Sequence, residues 1–154
     1  MLRCQPWKWL ACCAIYEKAF TARRFVLQAL YQMHMSRTPA VEVFAQFRAN
    51  HDMKRVDTEY LRGLLIGIDA HRADLLALIK PKLEREVNEL DPIETAALLI
   101  GTYELQHKIE LPYRVVINEG VELAKQFGAA ESHKLVNSVL DALARELREL
   151  EYKA

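Results

Sequence analysis

The stretch LPYRVVINEGVELAKQFGAAESHKLVNSVLDALARELREL, residues 111–150, decides the fold class. Pro112 opens it, at a position where a missing N–H costs a helix nothing. Val116, Ile117, Val121, Leu123 and Ala124 then lead at helical spacing to Phe127, and Gly128 serves as a C-cap residue. Ser132 is placed to cap the next helix, where Val136, Val139, Leu140, Leu143, Leu147 and Leu150 form one apolar stripe. Two amphipathic helices joined by so short a segment are expected to pack antiparallel, which is the geometry of a bundle.

The chain before this stretch repeats the pattern. Asp91-Pro92-Ile93-Glu94 is a helix start: Asp91 caps, Pro92 takes the first position, and Glu94 faces the positive end of the helix dipole. Ala97, Leu98, Ile100, Tyr103 and Leu105 follow as its buried positions. Asp57 is the expected cap of a helix carrying Leu61, Leu64, Leu65 and Ile68, and a further stretch holds Leu75, Leu76 and Ile79. Pro81 is expected to kink or restart that stretch before Leu83 and Val87. Thr38-Pro39 should start a helix with Val43, Phe44 and Phe47 on one face, ending near Asn50. Upstream, Val26, Leu27, Leu30, Tyr31 and Met35 predict a first helix from Ala14 or Ala19 to His34. No segment alternates with period two, so strands are not expected. The reading is an all-α bundle of about seven helices in two packed halves.

Composition fits this reading and excludes others. The 154 residues are 51% apolar and 27% charged, enough to bury one core and too apolar for a disordered chain. With 21 basic against 21 acidic residues the net charge is zero, which argues against a histone-like grip on nucleic acid by bulk charge. The zero conceals a gradient: residues 1–40 hold six basic groups and one acid, residues 41–110 nine and thirteen, residues 111–154 six and seven. All three cysteines, Cys4, Cys12 and Cys13, fall near the start, with no His at zinc-finger spacing, so reduced thiols are expected. The apolar run Trp9 to Tyr16 is too short for an export signal or a membrane span, and a cytoplasmic location is the expectation.

No Gly-rich phosphate loop, H-E-x-x-H motif or nucleophile motif is present, and the five histidines are scattered, so no enzyme, metal or cofactor is expected. Two features could meet RNA. Arg23-Arg24 on the first helix, with Tyr31 two turns later, could hold phosphates and stack a base. The join Lys125 to Lys134 offers a helix N-terminus at Ser132 flanked by Lys125, His133 and Lys134, with Phe127 as a stacking surface. From the residues alone the plainer readings are favoured: a solvated Arg23-Arg24 face with Tyr31 in the core, and a capped helical turn with Phe127 packed inside.

Pro112-Tyr113-Arg114-Val115-Val116-Ile117-Asn118-Glu119, Glu122-Leu123-Ala124-Lys125, Phe127-Gly128 and Ser132-His133-Lys134-x-Val136-Asn137-x-Val139-Leu140-Asp141 closely resemble the signature of the NusB family of bacterial transcription antitermination factors. Gln28-Ala29-Leu30-Tyr31 and Tyr103-Glu104-Leu105 add to the resemblance, which covers about residues 22–142. It implies a non-catalytic, all-helical protein that pairs with the ribosomal protein NusE, binds the boxA element of nascent RNA, and joins NusA, NusG and RNA polymerase in read-through of ribosomal RNA operons. Carried over, Arg23, Arg24, Lys125, Phe127, Ser132, His133, Lys134 and Asn137 would face RNA, while Tyr31 and Glu94 would face NusE. The acidic middle would then suit a basic partner.

The chain also departs from that pattern. The family's arginine-rich arm is replaced at Ala19, Phe20 and Thr21, while Leu99 and Glu131 stand where relatives often carry Arg and Asp. Residues 1–21 are accordingly read as an atypical extension from an altered start or reading frame, with the NusB-like domain over 22–154. The alternative function is an RNA-independent interaction module or a homodimer with a masked RNA surface. The similar helical domain of RNA cytosine methyltransferases is set aside, because no cofactor-binding domain is evident in these residues.

Overall fold

The computed structural model describes the backbone of residues 6–154 and the side chains of residues 18–154. The cysteine side chains and those of Trp9 to Tyr16, on which the thiol and export readings rest, lie outside the described residues. The described elements are α1 (Pro6–Ser36), α2 (Ala40–Asn50), α3 (Thr58–Ala70), α4 (Arg72–Ile79), α5 (Pro92–His107), α6 (Tyr113–Phe127), α7 (Ser132–Leu147) and the short α8 (Glu149–Lys153). Among the described residues there is no strand. α1, α2 and α3 pack on one another as one half, while α5, α6 and α7 form the other. α5 touches α1 and α3 as well, so the two halves share one core.

α5 is central because its sequence leaves no polar face. Ala96 to Leu105 are all buried except Tyr103, which is half-buried. Its start follows the sequence reading: the Asp91 side chain accepts from the Ile93 N–H at 2.8 Å, and Glu94 Oε2 accepts from the Asp91 N–H at 3.2 Å. Asp57 likewise caps α3, accepting from the Tyr60 N–H at 3.0 Å. Leu61, Leu64, Leu65 and Ile68 are fully buried beneath it.

Several expectations shift. α1 begins at Pro6 rather than at Ala14 or Ala19, and it crosses residue 21 without a break. The early residues lack amphipathic spacing, but Ala, Leu, Glu and Lys propagate a helix without it. α1 stops where Arg37 takes a left-handed φ of 56° and its N–H donates to Met33 O at 2.8 Å. Thr38 does not cap α2. Its hydroxyl pairs with Ser36 Oγ at 2.7 Å, and extended Pro39 stands at the cap with no side-chain bond. Pro81 neither kinks nor restarts α4, which ends at Ile79; Lys80–Lys82 tighten into a 3-10 turn and Leu83 leaves extended.

The last predicted helix is also divided. α7 ends at Leu147, Arg148 turns the backbone away from helical angles, and Leu150 sits 89% exposed on α8 instead of completing the stripe. The cause lies in the Arg148 side chain, which is 5% exposed. Its Nε donates to Leu105 O at 2.7 Å, Nη2 to Lys108 O at 2.8 Å and Glu104 O at 3.2 Å, and Nη1 to Leu111 O at 2.9 Å. One guanidinium thus supplies donors to Leu105 O and Leu111 O and adds a second donor to Glu104 O and Lys108 O, which already accept from the Lys108 and Leu111 N–H groups. Nη1 also pairs with Glu151 at 2.7 Å, whose other oxygen accepts the Tyr113 N–H at 2.9 Å at the start of α6.

At that end of α5, the His107 ring lies 4.5 Å from Tyr103 and 5.0 Å from His71. Partial burial, then the neighbouring His71 and Lys108, hold the His107 imidazole below its ordinary value. A depressed histidine binds its proton more readily in the unfolded chain, so its neutral form favours folding above the unfolded value. That contribution fades as pH falls through about 6.5 towards the lower folded value. Thermal unfolding at pH 7.5 and 5.5 should show a lower midpoint at the acid value, with a smaller drop in His107→Gln. An equal drop in both proteins would refute the assignment.

Candidate nucleic-acid interface

The two sequence features meet in space. Arg24 is exposed on α1, and its guanidinium carbon lies 5.6 Å from the centroid of the Phe127 ring at the end of α6. Phe127 is half-buried, leaving part of the ring at the surface. The chain then passes through Gly128 into α7, where any side chain would collide with its neighbours. A Cβ at Gly128 would stand 2.7 Å from Ala124 O and 2.9 Å from Ser132 Cβ. Lys125, Lys134 and Asn137 are exposed on the same two helices, and His133 is half-buried.

The cations on this surface are lightly held. Lys134 pairs with Glu131 at 2.8 Å and Lys125 with Glu122 at 3.7 Å, both between exposed side chains three residues apart. Such pairs contribute only about 0–1 kcal/mol, so both lysines can exchange a carboxylate for a phosphate at little cost. Arg24, Phe127, Lys125, Lys134 and Asn137 therefore supply what a single nucleic-acid strand needs: cations for the backbone, a ring for stacking, and an amide for base edges.

Ser132, Arg23 and Glu94 do not reach that surface. Ser132 is 1% exposed and is the first residue of α7, Glu131 standing at the cap position without a side-chain bond. Its hydroxyl donates to Glu94 Oε1 at 2.8 Å, the carboxylate that also holds the start of α5. Glu94, placed towards a protein partner by resemblance, is 7% exposed and ties the N-termini of α5 and α7 together. The positions of Phe127 and Lys134 rest on this joint.

Arg23 is 2% exposed and lies inside the bundle. Its Nε and Nη2 clasp the Glu104 carboxylate at 2.9–3.0 Å, with Glu119 3.9 Å from Nη1. The Tyr60 hydroxyl donates to the same Glu104 carboxylate. Burial alone would lower the Arg23 value, but the charge and hydrogen bonds of Glu104 hold it above the ordinary range. Tyr60 is pushed up by burial and by the Glu104 charge, and stays neutral. Adjacent residues on a helix point about 100° apart, so one arginine turns inward and the next outward.

Sequence reasoning missed Glu104, Tyr60, Glu119 and Arg148. Glu104 had a signal: it is the one charged residue between Thr95 and Gln106, in a stretch buried on all sides. A lone carboxylate there requires a buried partner. Tyr31, also placed towards a protein partner by resemblance, is 41% exposed on α1. Among the described residues, no group of three metal-ligating side chains comes together, and no helix is long and apolar enough to cross a membrane.

Fold and surface together define an all-helical bundle that displays a cation-and-aromatic face where α1, α6 and α7 meet. A family model described as the NusB family matches residues 21–145. The transcription antitermination protein NusB of Marinobacter nauticus is 50% identical over 127 residues, covering 82% of this chain and 80% of that protein. Its counterpart in Hahella chejuensis is 44% identical over 138 residues, covering 90% of this chain and 93% of that one. The solved structure of T. maritima NusB superposes with a TM-score of 0.77 at 28% identity, spanning 88% of this chain and 97% of its own. The chain belongs to the NusB family.

Proposed function

We propose that this chain acts in transcription antitermination by binding boxA RNA together with NusE, in a complex with NusA, NusG and RNA polymerase that reads through ribosomal RNA operons. The observation that carries the RNA contact is Arg24 lying over Phe127 beside Lys125, Lys134 and Asn137. Unpaired RNA is recognised by stacking and edge contacts, and this surface offers both beside mobile cations. Tyr31 is the exposed aromatic for the protein partner. Ser132 and Glu94 support the face from within, and Arg23 lies beneath it.

The test is a titration of labelled boxA RNA with the protein, with and without NusE. NusE should strengthen binding, and scrambling the boxA sequence should weaken it; a signal indifferent to both would overturn the reading. Lys134→Glu should weaken RNA binding roughly 5-fold, the effect of about 1 kcal/mol for one screened contact. The same substitution should flatten the log–log salt slope by about one. An unchanged slope would remove Lys134 from the contact set.

A further inference from the structure

A second concavity lies away from that face, between the end of α1 and the starts of α2, α4 and α5. Met33, His34, Arg37, Pro39, Asp69 and Arg72 line a hollow of about 470 Å³. It adjoins a shallow cleft floored by Leu30, Pro92, Ala96 and Leu99, which shares His34 and Arg72 with it. Arg37 and Arg72 are cationic, His34 lines the hollow with them, and among the described residues Asp69 is the only acid on the walls. None of these four forms an ion pair within 4 Å among the described residues.

Three helices also begin here. Ala40 of α2 follows Pro39, α4 starts at Arg72 itself, and α5 starts at Pro92. Neither α2 nor α4 has a side-chain hydrogen bond capping it. The start of α5 is already capped by Asp91 and Glu94, and α1 and α3 end at Ser36 and Ala70 beside the same hollow. The helix dipoles therefore largely offset one another, and the Arg37 and Arg72 side chains supply the positive charge. Arg37 is held at its left-handed φ of 56°, a conformation costly for a side chain and retained here at the rim. The concavity is built to receive negative charge.

Its surroundings favour a protein as the source. On adjoining turns of α1, Tyr31 and Met35 stand 41% and 64% exposed and give an apolar surface. A phosphate backbone would use the cations and leave this apolar surface wet. A peptide carrying an Asp, a Glu or a terminal carboxylate next to an apolar side chain would use both. We propose that this concavity is the carboxylate-binding subsite of the protein-docking face, a proposal that rests on the reading that Tyr31 meets NusE. It reverses the charge expected there: although residues 41–110 are acidic as a whole, the pocket beside Tyr31 is basic and calls for an acidic group on the partner.

The experiment measures NusE binding to the protein and to Arg37→Gln/Arg72→Gln, with Tyr31→Ala alongside and circular dichroism confirming the fold. The double variant should bind NusE at least 10-fold more weakly with a flatter salt dependence, and should bind boxA RNA alone as the parent does. In Arg37→Lys and Arg72→Lys, a carbodiimide should join the new amine to an Asp, Glu or terminal carboxylate of NusE, located by mass spectrometry. Unchanged NusE affinity in the double variant together with weakening in Tyr31→Ala would overturn the subsite and leave the docking face standing. Loss of neither would overturn both. Weakened binding of RNA alone by the double variant would assign the concavity to phosphate and overturn the carboxylate.

Discussion

Arg23→Ala is expected to cost about 3–5 kcal/mol of folding stability, the usual result of stranding one half of a buried ion pair. Glu104 is 1% exposed, and among the described residues its only other side-chain partner is the Tyr60 hydroxyl. The guanidinium contributes by offsetting a carboxylate that α5 has carried out of water. Because a domain of this size holds only about 5–15 kcal/mol in total, the variant should be marginal near body temperature. Urea unfolding would give the difference from the shift in midpoint at constant slope. A loss below about 1 kcal/mol would show that the site rehydrates or rearranges without its arginine.

The companion measurement is Arg23→Met with Glu104→Leu. Removing both charges removes the desolvation cost along with the attraction, so the double variant should lie closer to the parent than either single change. Where enough protein stays folded, RNA affinity should be unaffected, since Arg23 lies beneath the surface. Arg24, one residue later, should behave in the opposite way.

Arg148→Ala is expected to be comparably severe. It withdraws its donors from the carbonyls of Glu104, Leu105, Lys108 and Leu111, and it leaves Glu151, which holds the start of α6, without its paired cation. A single buried acceptor left without a partner costs about 1–3 kcal/mol, and Leu105 O and Leu111 O lose their donor, while Glu104 O and Lys108 O keep backbone N–H groups. A loss of roughly 3 kcal/mol or more follows, read as a lower urea midpoint. Arg148→Lys should recover little of it, because one ammonium has three donors at a single point and cannot span carbonyls on opposite sides of a planar fork. Near-complete rescue by lysine would mean that charge at the end of α5, rather than the geometry of the fork, holds this corner.

Much of the architecture was legible in the sequence. Asp57, Asp91 and Glu94 mark helix starts by local chemistry, and local chemistry is what a sequence displays directly. The stripes of α3 and α7 likewise name their buried residues, as far as Leu143 in α7, with Leu147 half-buried. Legibility failed where the deciding partner was distant. Nothing near Arg23 and Arg24 says which one turns inward, because Glu104 lies 81 positions away. Ser132 looked like a cap because its neighbours permit one, yet Glu94, 38 positions earlier, claims its hydroxyl. Arg148 was invisible for another reason: most of its partners are backbone carbonyls, which every residue has and no side-chain pattern marks.

For the face itself, the sequence supplied the residue types and the fold supplied the sorting. Arg24, Phe127, Lys125, Lys134 and Asn137 come out exposed or half-exposed, while Arg23, Ser132 and Glu94 go inside. The sorting follows from burial. Each of these three goes inside where another element waits with a complementary atom.

The inward Arg23 and outward Arg24 have a consequence for how this gene can vary. Inserting or deleting one residue within α1, downstream of Arg24 and upstream of Leu30, would turn one part of the helix by about 100° relative to the other. Either the guanidinium would leave Glu104 or the Val26–Leu30 side would leave the core. Point substitutions along α1 can be absorbed one at a time, but a change of length by a single codon triplet cannot. Across descendants of this sequence, the spacing between the inward arginine and the apolar side of α1 should stay fixed while the letters around it drift.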